Sequence, residues 1–504
     1  MKAGLISGLI ETMTQNNQTP VGISGLAVHV PPYRVRLEDW CEWNGGDWAK
    51  VRNVIGHSFR MLGPQQSVYT MAANAVLRLI ERYNIDPQNV GFLALGTESS
   101  TDNSAGAIIV KGIVDEALIA QGMAPLSRHC EVPEFKHACL GGVYALKNGL
   151  RYLSSDGHDR QAIVICSDIA LYERNSSGEP TQGAGAVAML LEPNPVMASI
   201  DLNESGSASS YRAVDFRKPI AYRNGTGQIE ACRDIPVFNG KYSTSCYVDE
   251  VMRALEQMYT RRKIKPADYL RHISHVFMHR PFRRMPETGW GMAWLHALAS
   301  GAAADHAVLA DYCKAAGVDS GDMISEIISL PDVAGLATSG CIDDDVFPLS
   351  NKVLRALRKL PDFKSRVSDK MSLGSEPMMD LGNIYSGALP AWLAAGFAEA
   401  AERGENLSNQ EMLLVAYGSG DAAEAIPLRV LPGWEAAAAK IQFAQALENT
   451  IDLTEPQYLA LRDRADTDDL GFPASNECIV THVGHSKGAG FQDVGIEYYR
   501  YISR

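Results

Sequence analysis

One cysteine of this chain, Cys139, lies where a strand pattern gives way to a glycine pair and a helix. An apolar/polar run over residues 130–136 leads into it, and a helical pattern follows to about Tyr152. A thiol at the start of a helix feels the positive end of the helix dipole, which favours the thiolate. The position therefore indicates a nucleophile that carries an acyl group. Burial as an ordinary core cysteine is the alternative.

Three other polar side chains occupy comparable places, each just past a buried strand or at the start of a helix: Glu98, His279 and Asn383. In open α/β sheets, ligands bind at the carboxyl ends of strands, so we expect these residues to converge with Cys139. An acid/base, a thiol, an imidazole and an amide suit Claisen-type acyl chemistry. The thiol takes the acyl group, a base removes a proton alpha to the thioester, and donors stabilise the enolate and the oxyanions.

Each of these residues also has a simpler interpretation. Glu98 could cap the helix that follows, as could its neighbour Asp102. His279 ends a run that begins at His272 and includes His275, and on a helix this spacing could bind a metal. The Ile, Val and Phe residues between them favour a strand, on which His272 and His275 face opposite ways. A three-histidine metal site is therefore not expected.

Strand and helix patterns alternate along the chain around these residues. Buried strands are predicted over residues 21–30, 91–96, 161–169, 271–278, 412–416 and 423–430. Helices are predicted over residues 67–83, 105–121, 246–262, 287–299, 383–401 and 432–447. The alternation favours an α/β fold whose sheet is covered on both faces.

Four regions are expected, and the first half of the core carries Glu98 and Cys139 while the second half carries His279 and Asn383. A helical insertion at about 300–375 interrupts the second half. The regions are, in chain order, a polar leader (residues 1–20), the N-terminal half (21–195), the C-terminal half (196–430) and a C-terminal extension packed on the core (431–504).

The composition fits a globular protein and excludes several classes of function. The 504 residues are 46% apolar, and 46 basic against 59 acidic residues leave a net charge of −13. An acidic chain is not expected to bind nucleic acid or an anionic membrane. No run of about 18 apolar residues predicts a membrane span. Nine cysteines without a CxxC pair, and an N-terminus that makes a poor signal peptide, favour a cytoplasmic location.

Short motifs around the candidate residues follow one another along the chain. They are Gly96-Thr-Glu-Ser-Ser-Thr-Asp-Asn-Ser104, Lys136-His-Ala-Cys-Leu-Gly-Gly142, Asp168-Ile-Ala-Leu-Tyr172, Thr181-Gln-Gly-Ala-Gly-Ala-Val-Ala-Met189, Asp215-Phe-Arg-Lys-Pro219, His279-Arg-Pro-Phe282, Gly382-Asn-Ile-Tyr385 and Tyr417-Gly-Ser-Gly420. Any one is a weak signal, but their order and co-occurrence are specific. Together they resemble the hydroxymethylglutaryl-CoA synthase family of the thiolase superfamily. The resemblance runs from about Val21 to Val430, with a weaker trace to Arg504.

The resemblance implies a five-layered αβαβα thiolase-like fold built from two similar halves, usually as a homodimer. It implies that Cys139 is acetylated by acetyl-CoA and that Glu98 is the general base that turns the acetyl methyl into a nucleophile. His279 and Asn383 would hold the acetoacetyl thioester, with His279 polarising the ketone under attack. Water would finally cleave the thioester at Cys139. Coenzyme A thioesters are then substrates, and neither a cofactor nor a metal is implied.

Further residues match positions that line the site in this family. The N–H groups of Cys139 and Ser419 would bind the thioester oxyanion. The other matched positions are Tyr172, Asp168, Asp215 and Thr181. The resemblance therefore predicts a site drawn from both halves of the chain.

The chain departs from the family pattern where an acyl carrier would be read. Ala105 stands where family members often carry a lysine after the first motif. Arg280, Arg283 and Arg284 stand near the place of a lysine that contacts the CoA phosphate, and they could replace it with bidentate contacts. An arginine-rich loop suits either a nucleotide or an acidic carrier protein, so the carrier stays open.

Three other functions also stay open. One is a β-branching synthase of polyketide pathways, which acts on substrates bound to acyl carrier protein. The second is a decarboxylative β-ketoacyl synthase III-like enzyme, which pairs Cys and Asn with a different His motif and lacks the acid at position 98. The third is a catalytically dead scaffold, against which the joint presence of Cys139 and Glu98 argues.

Overall fold

The computed structural model describes residues 19–463, 470 and 474–503. The expected leader, residues 1–20, lies outside the described residues except for its last two. None of the helices in the described part of the chain is long and apolar enough to cross a membrane.

The first part of the chain alternates strands with helices, as its sequence predicts. Its strands are β1 (Val21–His29), β2 (Tyr33–Arg36), β3 (Ser58–Met61), β4 (Val90–Gly96), β5 (Glu134–Phe135), β6 (Gln161–Ala170) and β7 (Gly183–Pro193). Its helices are α1 (Leu37–Asn44), α2 (Trp48–Val54), α3 (Val68–Tyr83), α4 (Gly106–Ala120) and α5 (Gly141–Leu153).

The second part contains more helices, and those of the predicted insertion follow one another without a strand between them. Its strands are β8 (Ala198–Ser199), β9 (Gly206–Ser209), β10 (Ala221–Arg223), β11 (Ile229–Ala231), β12 (His275–Met278), β13 (Glu411–Gly418), β14 (Ala422–Val430), β15 (Ile451–Asp452), β16 (Glu477–Val483), β17 (Lys487–Gly488), β18 (Phe491–Gln492) and β19 (Glu497–Ile502). Its helices are α6 (Gly240–Arg262), α7 (Pro266–His272), α8 (Arg284–Ala299), α9 (Ala303–Ala316), α10 (Ser320–Ser329), α11 (Val333–Ser339), α12 (Pro348–Leu357), α13 (Pro361–Phe363), α14 (Ala388–Arg403), α15 (Trp434–Ala438), α16 (Phe443–Ala446) and α17 (Glu455–Arg462).

Ten of these strands form one sheet in the order β12-β13-β14-β8-β1-β7-β6-β4-β5, with β9 paired to another part of β14. The β4–β6 and β12–β13 pairs are parallel, and the β1–β7, β6–β7 and β13–β14 pairs are antiparallel. The two-residue strand β8 pairs with both β1 and β14. The strands of the two halves therefore belong to one continuous ladder.

Alternate residues of β6 show that the first half of the sheet is covered on both faces. Ile163 and Ile165 belong to the apolar cluster formed with α3 and α4, whereas Val164 and Cys166 belong to the cluster that includes α5. A strand buried on both faces needs the near-continuous apolar run that the sequence has here.

The strand β12 is covered on both faces in the same way. The Phe277 ring packs on Gly396 of α14 and lies edge-on to Trp392, with ring centroids 5.8 Å apart. Met278 points the other way, towards Gly289 of α8. Helices α5 and α14 both contact β1 and form the middle layer, with α3 and α4 outside one half and α6 and α8 outside the other. This is the five-layered αβαβα fold that the resemblance implies.

Two predicted elements are wrong in detail. The strand predicted over 271–278 begins only at His275, because Pro266–His272 forms a helix with proline in its first turn. The helix predicted over 432–447 is two short helices, α15 and α16.

Among the described residues, no group of histidines has metal-ligand spacing.

The region around residues 35–63 and the C-terminal extension contain structure that the sequence patterns did not predict. Strand β2 pairs with β3 on one side and with β15 of the extension on the other, in a small separate sheet. Farther along, the Asn74 Oδ1 accepts a hydrogen bond from the Cys478 N–H at 2.8 Å, which joins the extension to α3. The extension thus packs on the core, while the exact bounds of the four regions stay predictions.

We expect Phe277→Ala to destabilise the protein by about 3–5 kcal/mol, because it removes a buried ring from between β12 and α14 and leaves a cavity. The midpoint of urea unfolding, followed by far-UV circular dichroism, measures the loss. Val196→Ala is the control, since that side chain is 50% exposed and should leave the midpoint nearly unchanged. Equal midpoints for Phe277→Ala and wild type would contradict the packing described here.

Candidate active site

Cys139 lies in the turn between β5 and α5. Ala138 before it has a φ of 41°, in the left-handed region that residues with a side chain rarely adopt. The start of α5 packs directly against the end of β4. A Cβ on Gly96 would lie 2.4 Å from Gly142, and a Cβ on Gly142 would lie 2.2 Å from the Cys166 sulfur. The absence of these side chains brings Cys139 beside the residues that follow β4.

Glu98 follows β4 and faces Cys139. The Cys139 thiol donates a hydrogen bond to Glu98 Oε2, with 3.5 Å between sulfur and oxygen. The Lys218 Nζ lies 3.6 Å from the other carboxylate oxygen, and the Glu98 side chain is only 5% exposed. The candidate base and the candidate nucleophile are therefore in contact where little water reaches.

Burial controls the protonation of this pair. It raises the pKa of Glu98 to about 7, and the charge of Lys218 limits the rise. Burial also raises the pKa of the Cys139 thiol well above its usual value, and the negative charges of Glu98 and Asp168 add to that rise. The resting thiol is neutral. The helix-dipole effect expected from the sequence is thus outweighed by burial and by the neighbouring carboxylates.

Asp168 is fully buried behind Glu98 and joins two loops. Its Oδ1 accepts hydrogen bonds from the Thr97 hydroxyl at 2.9 Å, the Glu98 N–H at 2.8 Å and the Ser99 hydroxyl at 2.8 Å. Its Oδ2 accepts from the N–H of Ser386 at 3.0 Å and from the hydroxyl of the same residue. Asp168 was expected to line the site, but the structure places it behind the wall, where it anchors the loop that carries Glu98.

Asn383 comes from the second half of the chain, in the loop before α14. Its N–H donates to the Thr181 carbonyl at 2.9 Å, and its side-chain Oδ1 accepts from the Tyr385 N–H at 2.9 Å. Its side chain is also hydrogen-bonded to Tyr172. The bond to the Thr181 carbonyl holds the Asn383 backbone, and the bonds to Tyr385 and Tyr172 fix the orientation of its side-chain amide.

His279 follows β12 and is 3% exposed. Its ring stacks on Tyr417, with ring centroids 6.4 Å apart, and its carbonyl accepts from the Tyr247 hydroxyl at 3.1 Å. Burial lowers the pKa of His279 to about 3, so the imidazole is neutral. The Nδ1 atom has no hydrogen-bond partner among the described residues. A neutral imidazole has one N–H to donate, so His279 suits the polarisation of a carbonyl.

The side chains of Cys139, His279 and Asn383 meet in one cavity of about 270 Å³, and Glu98, which contacts Cys139, is not among its lining residues. The predicted residues that line it are Cys139, Tyr172, Thr181, His279, Asn383 and Ser419. Aromatic rings supply much of the remaining wall, namely those of Phe216, Phe238, Tyr385 and Tyr417. An apolar cavity with a few convergent polar groups is the usual form of a small-molecule site.

Asp215 and Arg280 do not line this cavity. Asp215 is buried and accepts a hydrogen bond from the Tyr417 hydroxyl at 3.0 Å. Arg280 is also buried, where it donates to the Ser375 hydroxyl at 2.9 Å and stacks over Trp392. The structure buries the Arg280 side chain against Trp392. Its expected contact with a CoA phosphate stays a prediction.

Arg283 and Arg284 stand in the chain between Phe282 and Met285, which both line the cavity. Arg283 is exposed and Arg284 is half-buried. Their expected role in reading an anionic carrier group stays a prediction.

Sequence reasoning missed Lys218 and Tyr385 as neighbours of the reacting groups. The Lys218 Nζ lies 4.8 Å above the Tyr385 ring, beside Glu98. Lys218 belongs to the motif Asp215–Pro219, which was selected for Asp215, and Tyr385 belongs to the motif Gly382–Tyr385, which was selected for Asn383. Their places in these motifs were the sequence signal that could have identified them.

One group among the described residues has the spacing of metal ligands. Asp215, Cys246 and Asp421 place their ligand atoms within 4.8 Å of one another. Burial, followed by the charge of Asp215, raises the pKa of Asp421 to about 9, so Asp421 is protonated at neutral pH. The Arg212 Nε lies 3.6 Å from Asp421 Oδ2. A proton and a guanidinium therefore balance the charge of this group.

The layer order defines a thiolase-like fold, and thiol, carboxyl, imidazole and amide converge at one place in it. A solved structure described as MvaS in complex with 3-hydroxy-3-methylglutaryl coenzyme A matches with a TM-score of 0.72 at 24% identity, over 96% of this chain and 99% of that one. The HMG synthase of the curacin biosynthetic pathway matches with a TM-score of 0.68 at 18% identity, over 96% of this chain and 100% of that one. At these identities the likeness establishes the fold.

Sequence comparison finds relatives of one kind. Residues 17–196 match the family model described as hydroxymethylglutaryl-coenzyme A synthase N terminal. Hydroxymethylglutaryl-CoA synthase A of Dictyostelium discoideum is 27% identical over 419 residues, 81% of this chain and 75% of that protein. The synthase of Saccharomyces cerevisiae is 30% identical over 242 residues, 47% of this chain and 44% of that protein. The chain is a relative of the hydroxymethylglutaryl-CoA synthases, which confirms the resemblance drawn from its motifs.

We expect Glu98→Gln to accelerate alkylation of Cys139 by iodoacetamide at pH 8. The negative charge of Glu98 raises the pKa of the thiol, so its removal increases the thiolate fraction, which is the reactive form. Peptide mass mapping separates Cys139 from the other eight cysteines, and Cys139→Ala identifies its peptide. Slower alkylation in Glu98→Gln would contradict the charge coupling between the two groups.

Proposed function

We propose that the protein catalyses a hydroxymethylglutaryl-CoA synthase-like reaction. An acetyl group carried on Cys139 condenses with a β-ketoacyl thioester, acetoacetyl-CoA, and water then hydrolyses the Cys139 thioester. The main support is the 3.5 Å contact between the Cys139 thiol and Glu98 beside a cavity that also presents His279 and Asn383. A β-ketoacyl synthase III-like site would lack the acid, and a scaffold would have no use for it.

The first step of the proposal loads the thiol. The Cys139 sulfur attacks the carbonyl carbon of acetyl-CoA while its proton passes to the Glu98 carboxylate. Glu98 then gives this proton to the sulfur of coenzyme A, which leaves as a thiol, and returns to the carboxylate form. A Glu98 pKa of about 7 means that both forms of the carboxyl are present at neutral pH. The same group can therefore accept and return protons. The oxyanion would be bound by the N–H groups of Cys139 and Ser419.

The second step forms the carbon–carbon bond. Glu98 removes a proton from the acetyl methyl, and the enolate carbon attacks the ketone carbon of acetoacetyl-CoA. The ketone oxygen becomes an alkoxide and takes up the proton from Glu98. His279 is neutral because burial lowers its pKa to about 3. Its N–H would donate a hydrogen bond to that oxygen, and Asn383 would orient the acceptor. Hydrolysis of the Cys139 thioester then restores the thiol.

Carrier-protein substrates are the second candidate, as for a β-branching synthase of polyketide pathways. Arg283, which is exposed and follows the cavity-lining Phe282, suits the phosphates of coenzyme A and the acidic surface of a carrier protein equally well. The curacin synthase with the same fold has been solved in complex with a donor acyl carrier protein. We retain coenzyme A as the first choice because the relatives in sequence are described as hydroxymethylglutaryl-CoA synthases.

The proposal includes a homodimer, as the family resemblance implies, and a cytoplasmic location, as the cysteine pattern and the N-terminal sequence favour. The reaction as written needs no cofactor beyond the coenzyme A thioesters that are its substrates. Analytical ultracentrifugation of the full chain would test the dimer directly.

Incubation with acetyl-CoA should add the mass of one acetyl group to the wild type. Glu98→Gln should gain the label more slowly, because the carboxylate that takes the thiol proton is missing, and should then retain it, because no base consumes the acyl group. Cys139→Ala should gain no label, because it lacks the sulfur that carries the group. Intact-protein mass spectrometry makes the measurement. Label from acetyl carrier protein alone would favour the β-branching function, and no label from either donor would sink the catalytic proposal.

The rate of condensation from preformed acetyl-enzyme should rise about tenfold between pH 6 and pH 8, because only the carboxylate form of a group with a pKa of about 7 can act as base. Rapid mixing of the acetyl-enzyme with acetoacetyl-CoA, followed by chemical quench, gives this single-turnover rate. The residual rate of Glu98→Gln should lack the inflection. A flat profile in the wild type would rule out Glu98 as the titrating base.

Arg283→Ala combined with Arg284→Ala should raise KM for acetoacetyl-CoA about fivefold and leave kcat nearly unchanged, since exposed charge contacts are each worth up to about 1 kcal/mol. Steady-state kinetics with CoA and carrier-protein thioesters decides which carrier the arginines read. Arg151→Ala is the matched control, because that exposed arginine lies at the far end of α5 from Cys139. An unchanged KM for both carriers would remove these arginines from carrier recognition.

A further inference from the structure

Lys218 is a charged side chain that the proposed mechanism leaves without a role. Its side chain is 12% exposed, and its Nζ lies 3.6 Å from Glu98 Oε1 and 3.2 Å from Asp234 Oδ1. The same Nζ lies 4.8 Å over the Tyr385 ring. Lys218 is not among the residues that line the cavity with Cys139. It therefore contacts the base, and any effect on the reaction passes through Glu98.

Exposure falls along this row of charges. The side chain of Asp234 is 53% exposed, that of Lys218 is 12% exposed and that of Glu98 is 5% exposed. Backbone hydrogen bonds of 2.9 and 2.8 Å between Arg217 and Val237 join the two loop segments that carry Lys218 and Asp234. The fold itself thus places one cation between an interior carboxyl and a surface carboxylate.

We propose that Lys218 is a positioning residue whose charge, 3.6 Å from Glu98 Oε1, keeps a fraction of Glu98 ionised at neutral pH, an inference that rests on the proposed function. A buried carboxyl without a counter-ion stays protonated and cannot act as a base. Burial opposes the charge of Lys218 as well, but the carboxylates of Glu98 and Asp234 outweigh it and raise the pKa of the lysine. The lysine therefore stays charged beside Glu98.

The other groups that face Glu98 do not supply this charge. Asp168 lies behind it and raises its pKa, and the Cys139 thiol donates a hydrogen bond that lowers it slightly. The hydroxyls of Tyr172 and Tyr385 face the same space and are neutral, because burial raises the pKa of both. Lys218 is the cation among the described groups around Glu98.

Four variants of the full chain test this role through the pH profile of condensation from acetyl-enzyme. Lys218→Met should move the midpoint to higher pH by at least about one unit, because an opposite charge this close typically shifts a carboxyl by one unit or more. Lys218→Arg keeps the charge and should keep the wild-type midpoint. Asp234→Asn should move the midpoint to lower pH by a smaller amount, because it removes an exposed negative charge. Asp156→Asn, on an exposed turn about 20 Å away at the far end of α5, should not move it.

A second measurement separates failure of this inference from failure of the proposed function. Lys218 also lowers the pKa of the Cys139 thiol, so Lys218→Met should need higher pH for iodoacetamide alkylation of Cys139, without any substrate. A wild type that is never acetylated would end the proposed function, and the alkylation profiles would still report the charge of Lys218. Equal loss of rate at every pH in Lys218→Met, or failure of Lys218→Arg to restore the midpoint, would overturn the inference.

Discussion

The buried carboxylate of Asp168 connects the segments that bear the reacting groups. It accepts hydrogen bonds from the loop after β4, which carries Glu98, and from Ser386, which lies three residues beyond Asn383. Burial raises the pKa of Asp168 and these donors oppose the rise, so the bonds that hold the loops also help the group to stay charged. A residue outside the cavity wall thus sets the distance between a base from one half of the chain and an amide from the other.

The site around this anchor is nearly uncharged at rest. The Cys139 thiol and the His279 imidazole are neutral because both are buried, and Glu98 is poised between its two forms. Charge therefore appears in the cavity mainly when a reaction creates it. In such a poorly solvated site, a single ammonium group has a large effect on the charge of a neighbouring carboxyl. Lys218 can therefore act on Glu98 although it does not line the cavity.

The sequence predicted what depends on local pattern and on the order of motifs. Glu98, Cys139, His279 and Asn383 could be chosen because each follows a buried strand or opens a helix, and the fold places all four together. The inward turn of Arg280 was not predictable, because it depends on Ser375 and Trp392, which are distant in sequence. The neutral state of Cys139 was not predictable either, since the helix start favours the thiolate and only the depth of burial reverses that preference.

The shared strand β8 has a consequence for how the chain acquires its fold. Ala198 and Ser199 pair with β1 on one side and β14 on the other, and these partners are separated by most of the chain. The β1 side of β8 can pair as soon as residues 198–199 have been synthesised, but the β14 side must wait for residues 429–430. Until then β8 presents a bare strand edge, the kind of surface that joins other chains. The second half of the sheet therefore adds to an edge that the first half has already formed.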